Sequence, residues 1–295
     1  MLLMQIESLK VFCDLTETES FTKAAQINHI TQSAVSQQIN ALERQFKSLL
    51  IERSKKRFRL TQEGQVLYES AKQIVQLYDT MRCRLQELKD VIAGTVRIAT
   101  IYSIGLHSLP PYIKRYLKNY PLVNVHVEYR RADEVYEDVL GNAVDMGLVA
   151  CPSRDPKIEI VPWSREPMAI ICHPQHPLAQ RPSVKLNAIA EHKFVAFEAG
   201  VPTRKAIDHI LREHGVPVKV VMEFDNVETV KRAVEIDAGV AIVPLNNVTQ
   251  EVANRTLAAV TVEDADLQRP RGIILKKNKV LSNAARLFIS TLKEE

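Results

Sequence analysis

The 295-residue chain has no uninterrupted apolar run of about 18 residues, which leaves nothing of the length a membrane-spanning helix needs. Glu7 and Lys10 break the apolar opening, so no signal peptide is expected either. Cysteine is scarce: Cys13, Cys83, Cys151 and Cys172 lie far apart and form no CxxC pair. They read as reduced thiols in a cytoplasmic protein and not as a disulfide framework. Cys172, His173 and His176 stand close together, but prolines break that segment and no partner pair is near, so no metal and no other cofactor is expected. A GxSxG elbow, a GxxxxGK[ST] loop and a GxGxxG fingerprint are all missing, and the eight histidines are scattered. An enzyme is therefore not the expectation. An enzymatic or ligand-binding α/β domain with an accessory DNA-binding module stays as the alternative. The net charge of +4 is too small for a protein that coats DNA without specificity.

That small charge is unevenly placed. Residues 1–62 carry nine Lys/Arg against six Asp/Glu. Within them the stretch 20–61 holds two short helical patterns and then a basic ribbon. Ser20 and Thr31 stand where hydroxyls cap helices. Ala24 and Ala25 let the first helix lie close to its neighbour. In the second, Val35, Ile39, Leu42 and Phe46 recur at helical spacing and are expected to face the core. Gln32, Ser33, Ser36, Gln37, Asn40 and Arg44 make up the opposite face, with Glu43 at its flank. Such a face of amides and hydroxyls suits base edges in the major groove of double-stranded DNA. Arg53, Lys55, Lys56, Arg57 and Arg59 follow, with Phe58 and Leu60 placed to anchor a β-ribbon that brings the cations to phosphates.

The run AAxxxxxTQSAVSQQIxxLE followed by LIERSKKRFRLTQEG resembles the N-terminal domain of the LysR-type transcriptional regulators. Lys47 stands where that family more often has glycine, and Ile51 where phenylalanine is frequent. After the motif, Leu67, Ala71, Ile74, Tyr78, Met81, Leu85, Leu88 and Ile92 alternate spacings of four and three along a helix without glycine or proline. A heptad seam of that length points to a partner helix, with Leu67, Ile74, Met81, Leu85 and Leu88 as dimerisation residues. Packing of the same seam on its own domain is the alternative, but the helix is long for that, and it is read as the linker and dimerisation helix.

Beyond Gly94 strands alternate with helices in two successive blocks, expected to form parallel α/β layers. The last strand and helix are expected to return to the first block, so that two subdomains enclose a cleft. IxxxxLPP near Pro110, HPLA at His176, Thr203-Arg204 and RAVEIDAGVAIVP are similar, in order and spacing, to the LysR-type effector domain, itself similar to periplasmic binding proteins. The expected fold is α+β overall. Residues 4–61 form a winged helix-turn-helix, 62–92 a linker helix, and 93–295 a two-subdomain α/β effector-binding domain. Subdomain I covers about 93–161 and 269–295, and subdomain II about 162–268.

Thr100, Tyr102 and Ser103 follow the first strand of this domain, Thr203 opens a helix and Asn226 precedes another. Hydroxyls and amides beside free N–H groups at helix starts favour anions, and Arg130, Arg131 and Arg204 add charge. A small anionic metabolite between Ser103 and Thr203 is the expectation, though capping alone would also explain Thr203 and Asn226. If the chain alternates there, only one of Arg130 and Arg131 faces the cleft. For DNA the candidates are Gln32, Ser33, Ser36, Gln37, Asn40, Arg53, Lys55, Lys56 and Arg59. The resemblance further implies a homodimer or homotetramer at an interrupted promoter dyad, a small-molecule co-inducer, and RNA polymerase as a further partner.

Overall fold

The computed structural model describes residues 5–52, 58–87 and 92–294. They fall into two compact units, Met1–Val91 and Ile92–Glu295.

The first unit holds α1 (Ile6–Thr18), α2 (Phe21–Ile27), α3 (Gln32–Phe46) and α4 (Gln62–Glu87). Both expected caps form: the Ser20 hydroxyl accepts the Lys23 N–H at 3.3 Å and the Thr31 hydroxyl that of Ala34 at 3.2 Å. Leu9, Phe12, Leu15, Ala24, Val35, Ile39 and Leu42 make the core. Phe46 does not join them. It is 43% exposed, because Glu43 takes the inward place at the end of α3 and accepts the Leu50 N–H at 3.0 Å. Glu43 is thus buried and not at the flank of a polar face. The chain reverses at Lys47, whose φ of 52° lies in the left-handed region. The base of the ribbon is an antiparallel bridge, Ile51 to Leu60, with the Glu52 N–H donating to Arg59 at 2.9 Å. Gly64 lets α4 approach: a Cβ there would sit 2.1 Å from the Leu50 carbonyl oxygen.

The seam on α4 divides. Ala71 is buried and Leu67 half-buried in the core of their own unit, whereas Ile74 and Met81 are exposed. Leu88 and the side chain of Leu85 lie outside the described residues, as do Arg53, Lys55, Lys56 and Arg57.

In the second unit come β1 (Gly94–Thr100), α5 (Tyr102–His107), α6 (Pro110–Asn119), β2 (Val123–Tyr129), α7 (Ala132–Leu140), β3 (Met146–Ala150) and β4 (Ile158–Cys172). Then follow β5 (Ser183–Val184), β6 (Lys193–Phe197), α8 (Pro202–Glu213), β7 (Lys219–Phe224), α9 (Val227–Glu235) and β8 (Ala241–Pro244). The unit closes with α10 (Thr249–Ala253), β9 (Ala258–Val262), β10 (Gln268–Lys276) and α11 (Asn283–Lys293). The larger sheet runs β2-β1-β3-β10-β4-β9-β5, with β8 also on β4, and β6 pairs β7 separately. β1, β2 and β3 are parallel, as are β6 and β7, but β10 is antiparallel to both β3 and β4. The layers are therefore mixed and not purely parallel. The reason is that β4 and β10 are the strands that cross between the lobes. Their first lobe packs Val96, Ile98, Leu148, Ile273 and Phe288, and the second packs Ile170, Phe194, Ile207, Val234 and Ile242.

Candidate functional site

On the first unit, the N-terminal half of α3 shows Gln32, Ser33 and Gln37 to solvent, with Ser36 and Asn40 half-buried beside them. Ser33, Gln37 and Asn40 lie on the face opposite Val35, Ile39 and Leu42, with Ser36 beside it. Gln32, one turn before Val35, is on the same side as the buried stripe and is exposed only because it starts the helix. Arg59 is exposed on the returning ribbon strand. The face carries no carboxylate that would repel a phosphate, since Glu43 is buried.

On the second unit, a cavity of about 450 Å³ lies between the two lobes. That size fits a small metabolite. The starts of α5, α7, α8 and α9 all reach its wall, through Ser103, Ala132, Thr203 and Asn226. The backbone dipoles at these helix starts give the wall a positive polarisation. Ser103 comes from the first lobe and Thr203 from the second, and Arg269 joins them. Its Nη2 donates to Ser103 Oγ at 3.2 Å and its Nη1 to Thr203 Oγ1 at 3.1 Å. The same guanidinium donates through Nε to Glu166 Oε1 at 2.7 Å and forms a second bond to it through Nη2. Arg269 and Glu166 are 1% and 3% exposed, and they face each other across the two crossing strands. Both hydroxyl hydrogens of Ser103 and Thr203 stay available to a ligand, because Arg269 uses only their oxygens.

The other expected residues divide. Tyr102, Arg130 and Asn226 line the cavity, and so does Arg131. Arg130 is ion-paired with Glu128 and with Asp138 at 3.2 Å. Burial opposes the charge of Arg130, but these carboxylates outweigh it and hold the guanidinium above its usual value. Arg131 reaches across the cleft to Glu198 on the other lobe at 3.2 Å. Asn226 caps α9 by accepting the Thr229 N–H at 3.1 Å. Two expected residues are not in the wall. Thr100 is fully buried and donates to the Leu148 carbonyl at 3.3 Å. Arg204 turns away because Asp208, one helical turn on, takes its Nε at 2.8 Å and Glu223 takes Nη1 at 2.6 Å.

The sequence reading passed over three groups. Arg269 sat at a subdomain boundary in the segment QRPRG, where two arginines two residues apart on a strand share a face and signal a buried polar floor. Asn247 is fully buried; its Nδ2 donates to the Ser103 carbonyl at 3.0 Å, tying the lobes together. Lys231 is also buried, held by Glu228 at 3.0 Å, Glu251 at 2.8 Å and the Asn247 carbonyl at 3.0 Å. From the first lobe, His107 Nε2 meets Glu228 Oε1 at 2.7 Å. Burial raises the Glu228 carboxyl, but His107 and Lys231 outweigh it and hold it below its ordinary value. Burial pushes the nearby Cys151 thiol up, against Arg269 and with Glu166. Among the described residues no cluster of three His, Cys, Asp or Glu side chains could hold a metal.

Residues 6–65 match the model of the bacterial regulatory helix-turn-helix protein, lysR family, and residues 89–295 match the LysR substrate binding domain. The HTH-type transcriptional regulator CysL of Bacillus subtilis is 30% identical over 290 residues, covering 98% of this chain and 97% of that protein. The HTH-type transcriptional activator CmpR of Synechocystis is 28% identical, over 97% of this chain and 94% of that one. Among solved structures, full-length CbnR complexed with its target DNA superposes with a TM-score of 0.72 at 21% identity, covering 98% of this chain and 99% of that chain. The Synechocystis CcmR regulatory domain in complex with 2-PG gives 0.61 at 22% identity, over 68% of this chain and 96% of that chain.

Proposed function

This chain belongs to the LysR family of bacterial transcriptional regulators, and we propose that it reads DNA through α3 while a small anionic effector in the interlobe cavity sets its regulatory state. The single observation that carries the DNA half is the exposed amide and hydroxyl face of α3. Gln32, Ser33, Ser36, Gln37 and Asn40 contact base edges or adjoining phosphates, because amides can pair with adenine N6 and N7 and hydroxyls with either edge. Arg59, together with Arg53, Lys55 and Lys56, neutralises backbone charge and supplies the salt-dependent part of the affinity. That CbnR was solved on its target DNA supports this reading.

The effector half rests on Ser103 and Thr203, hydroxyls from opposite lobes converging on one cavity ringed by helix starts. An anion there gains two hydroxyl bonds and the backbone dipoles, and it holds both lobes at once. CcmR, solved with 2-PG, lends the same support. Ligand control requires that the effector favour one lobe arrangement over another.

We assign residues 4–61 to the DNA-binding domain, 62–92 to the linker helix and 93–295 to the effector domain. Ile74 and Met81, exposed on α4, supply apolar surface for a second copy, so the working unit is a cytoplasmic homo-oligomer at an interrupted dyad. No catalytic role is assigned to the cavity. The test is affinity across a randomised DNA library. Gln37→Ala should cost roughly 1–3 kcal/mol at particular base pairs, whereas Arg59→Ala should weaken all sequences alike and lower the salt slope by about one. Uniform weakening by Gln37→Ala would show that α3 does not read bases there.

A further inference from the structure

We propose that the effector is a monocarboxylate carried on an apolar body, and not a phosphorylated or multiply charged metabolite. This names the ligand class for the interlobe cavity and rests on the reading of that cavity as an anion site. The deepest part of the wall fixes the head of the ligand. Ser103 and Thr203 are 6% and 2% exposed, and both hydroxyls accept from terminal nitrogens of one guanidinium, that of Arg269. They therefore stand side by side, one from each lobe, where water reaches little. With their oxygens turned to Arg269, they offer their hydrogens: two neighbouring donors, matching the two oxygens of one carboxylate.

The surrounding charges limit the ligand to one. Arg269 is balanced by Glu166 and the pair is buried, so the floor of the cavity is neutral. A second negative charge on the ligand would need a cation of its own, because a buried charge without a partner is costly. The wall has no cation to spare. Arg130 and Arg131 are partly exposed but committed, the first to Glu128 and Asp138, the second to Glu198 and more loosely to Asp133. A phosphate would draw either arginine only by leaving those carboxylates without their partner. Among the described residues no lysine or histidine lines the cavity.

The rest of the wall selects the body. Ile101, Tyr102, Ala132 and Tyr136 line the cavity from the first lobe, and Phe197 and Val201 from the second. Tyr136 brings no free hydroxyl: it accepts the Ser153 N–H at 2.8 Å and donates to the Ser153 carbonyl at 3.2 Å, so it presents its ring. Asn226 is spent as well, its Oδ1 on the Thr229 N–H and its Nδ2 on Asp225. A polyol would find few partners for its hydroxyls there, whereas a hydrocarbon body gains by leaving water.

The experiment follows thermal unfolding of the full chain by Trp163 fluorescence, which reads the second unit. The probes are phenylacetate, benzoate and 4-methylpentanoate, the amide of each, phenyl phosphate, succinate and inorganic phosphate. A bound ligand raises the melting temperature by mass action. At least one of the three monocarboxylates should bind, and about tenfold or more tighter than its amide, phenyl phosphate or succinate. Ser103→Ala and Thr203→Ala should each weaken it several-fold. Glu198→Gln, which frees Arg131 of its nearer partner, should strengthen phenyl phosphate several-fold and leave the monocarboxylate unchanged. Stabilisation by none of the three monocarboxylates overturns the inference, and an amide that binds as tightly as its acid refutes the carboxylate contact. Phenyl phosphate, succinate or inorganic phosphate binding as tightly as the best monocarboxylate refutes the single charge. Loss of that binding in the double variant Ser103→Ala/Thr203→Ala would then overturn the ligand class alone and leave the anion site standing, and its persistence would remove the site as well.

Discussion

Arg269→Met should destabilise the second unit by about 3–5 kcal/mol, because it leaves the Glu166 carboxylate buried without its main partner. The side chain makes four hydrogen bonds: two to Glu166, one to Thr203 and one to Ser103. Glu166 would retain only Arg271, whose Nη1 lies 3.8 Å from its other oxygen, too far for a hydrogen bond. That distant charge places the expected cost toward the lower end of the range. The double substitution Arg269→Met/Glu166→Leu should recover most of the loss, since an apolar pair in place of a buried ion pair is often neutral or better. Urea unfolding followed by tryptophan fluorescence measures this cleanly. Trp163 is the sole tryptophan; it sits on β4, donates Nε1–H to Leu292 at 2.7 Å and lies 4.3 Å under the Arg271 guanidinium. It therefore reports the unit that holds the pair. A cost below about 1 kcal/mol for Arg269→Met, or a double variant as unstable as the sum of the two, would refute the reasoning.

Lys47→Gly should stabilise the first unit by about 1 kcal/mol, because glycine adopts the left-handed φ of 52° without a Cβ clash; helix circular dichroism through a urea titration checks it. Gly64→Ala should destabilise the same unit, since its methyl would meet the Leu50 carbonyl oxygen at 2.1 Å; the same titration would show no change if α4 could shift freely. The Glu228 carboxyl lies below its ordinary value of 4.5, so its stabilising contribution is present above that value and is lost as pH falls through the lowered one. Glu228→Gln should flatten the acid limb of stability against pH measured by Trp163 fluorescence, and an unchanged limb would remove the His107–Glu228–Lys231 bridge as its cause.

The alternation of helices and strands was readable because each element carries its own period, as in Val35, Ile39 and Leu42 of α3. Caps were readable because hydroxyls precede apolar runs at Ser20 and Thr31. What sequence could not supply was the choice between a residue's local partners and the cleft. Arg204 and Arg131 look alike in one dimension, but Asp208 one turn away claims the first, while the second meets Glu198 from the other lobe. Residues 158–167 of β4 were missed because the segment has mixed polarity, its partner β10 lying about a hundred residues later in sequence. Phe46 fitted the helical period but lost the inward place to Glu43, whose carboxylate satisfies a backbone N–H that phenylalanine cannot.

Purified full-length protein should be used to select genomic fragments at moderate salt, with Gln37→Ala protein run in parallel, and the bound fragments sequenced. A few strongly enriched sites sharing an interrupted dyad, lost or altered in the variant, are the predicted result. Even recovery of all fragments by both proteins would contradict sequence reading by α3.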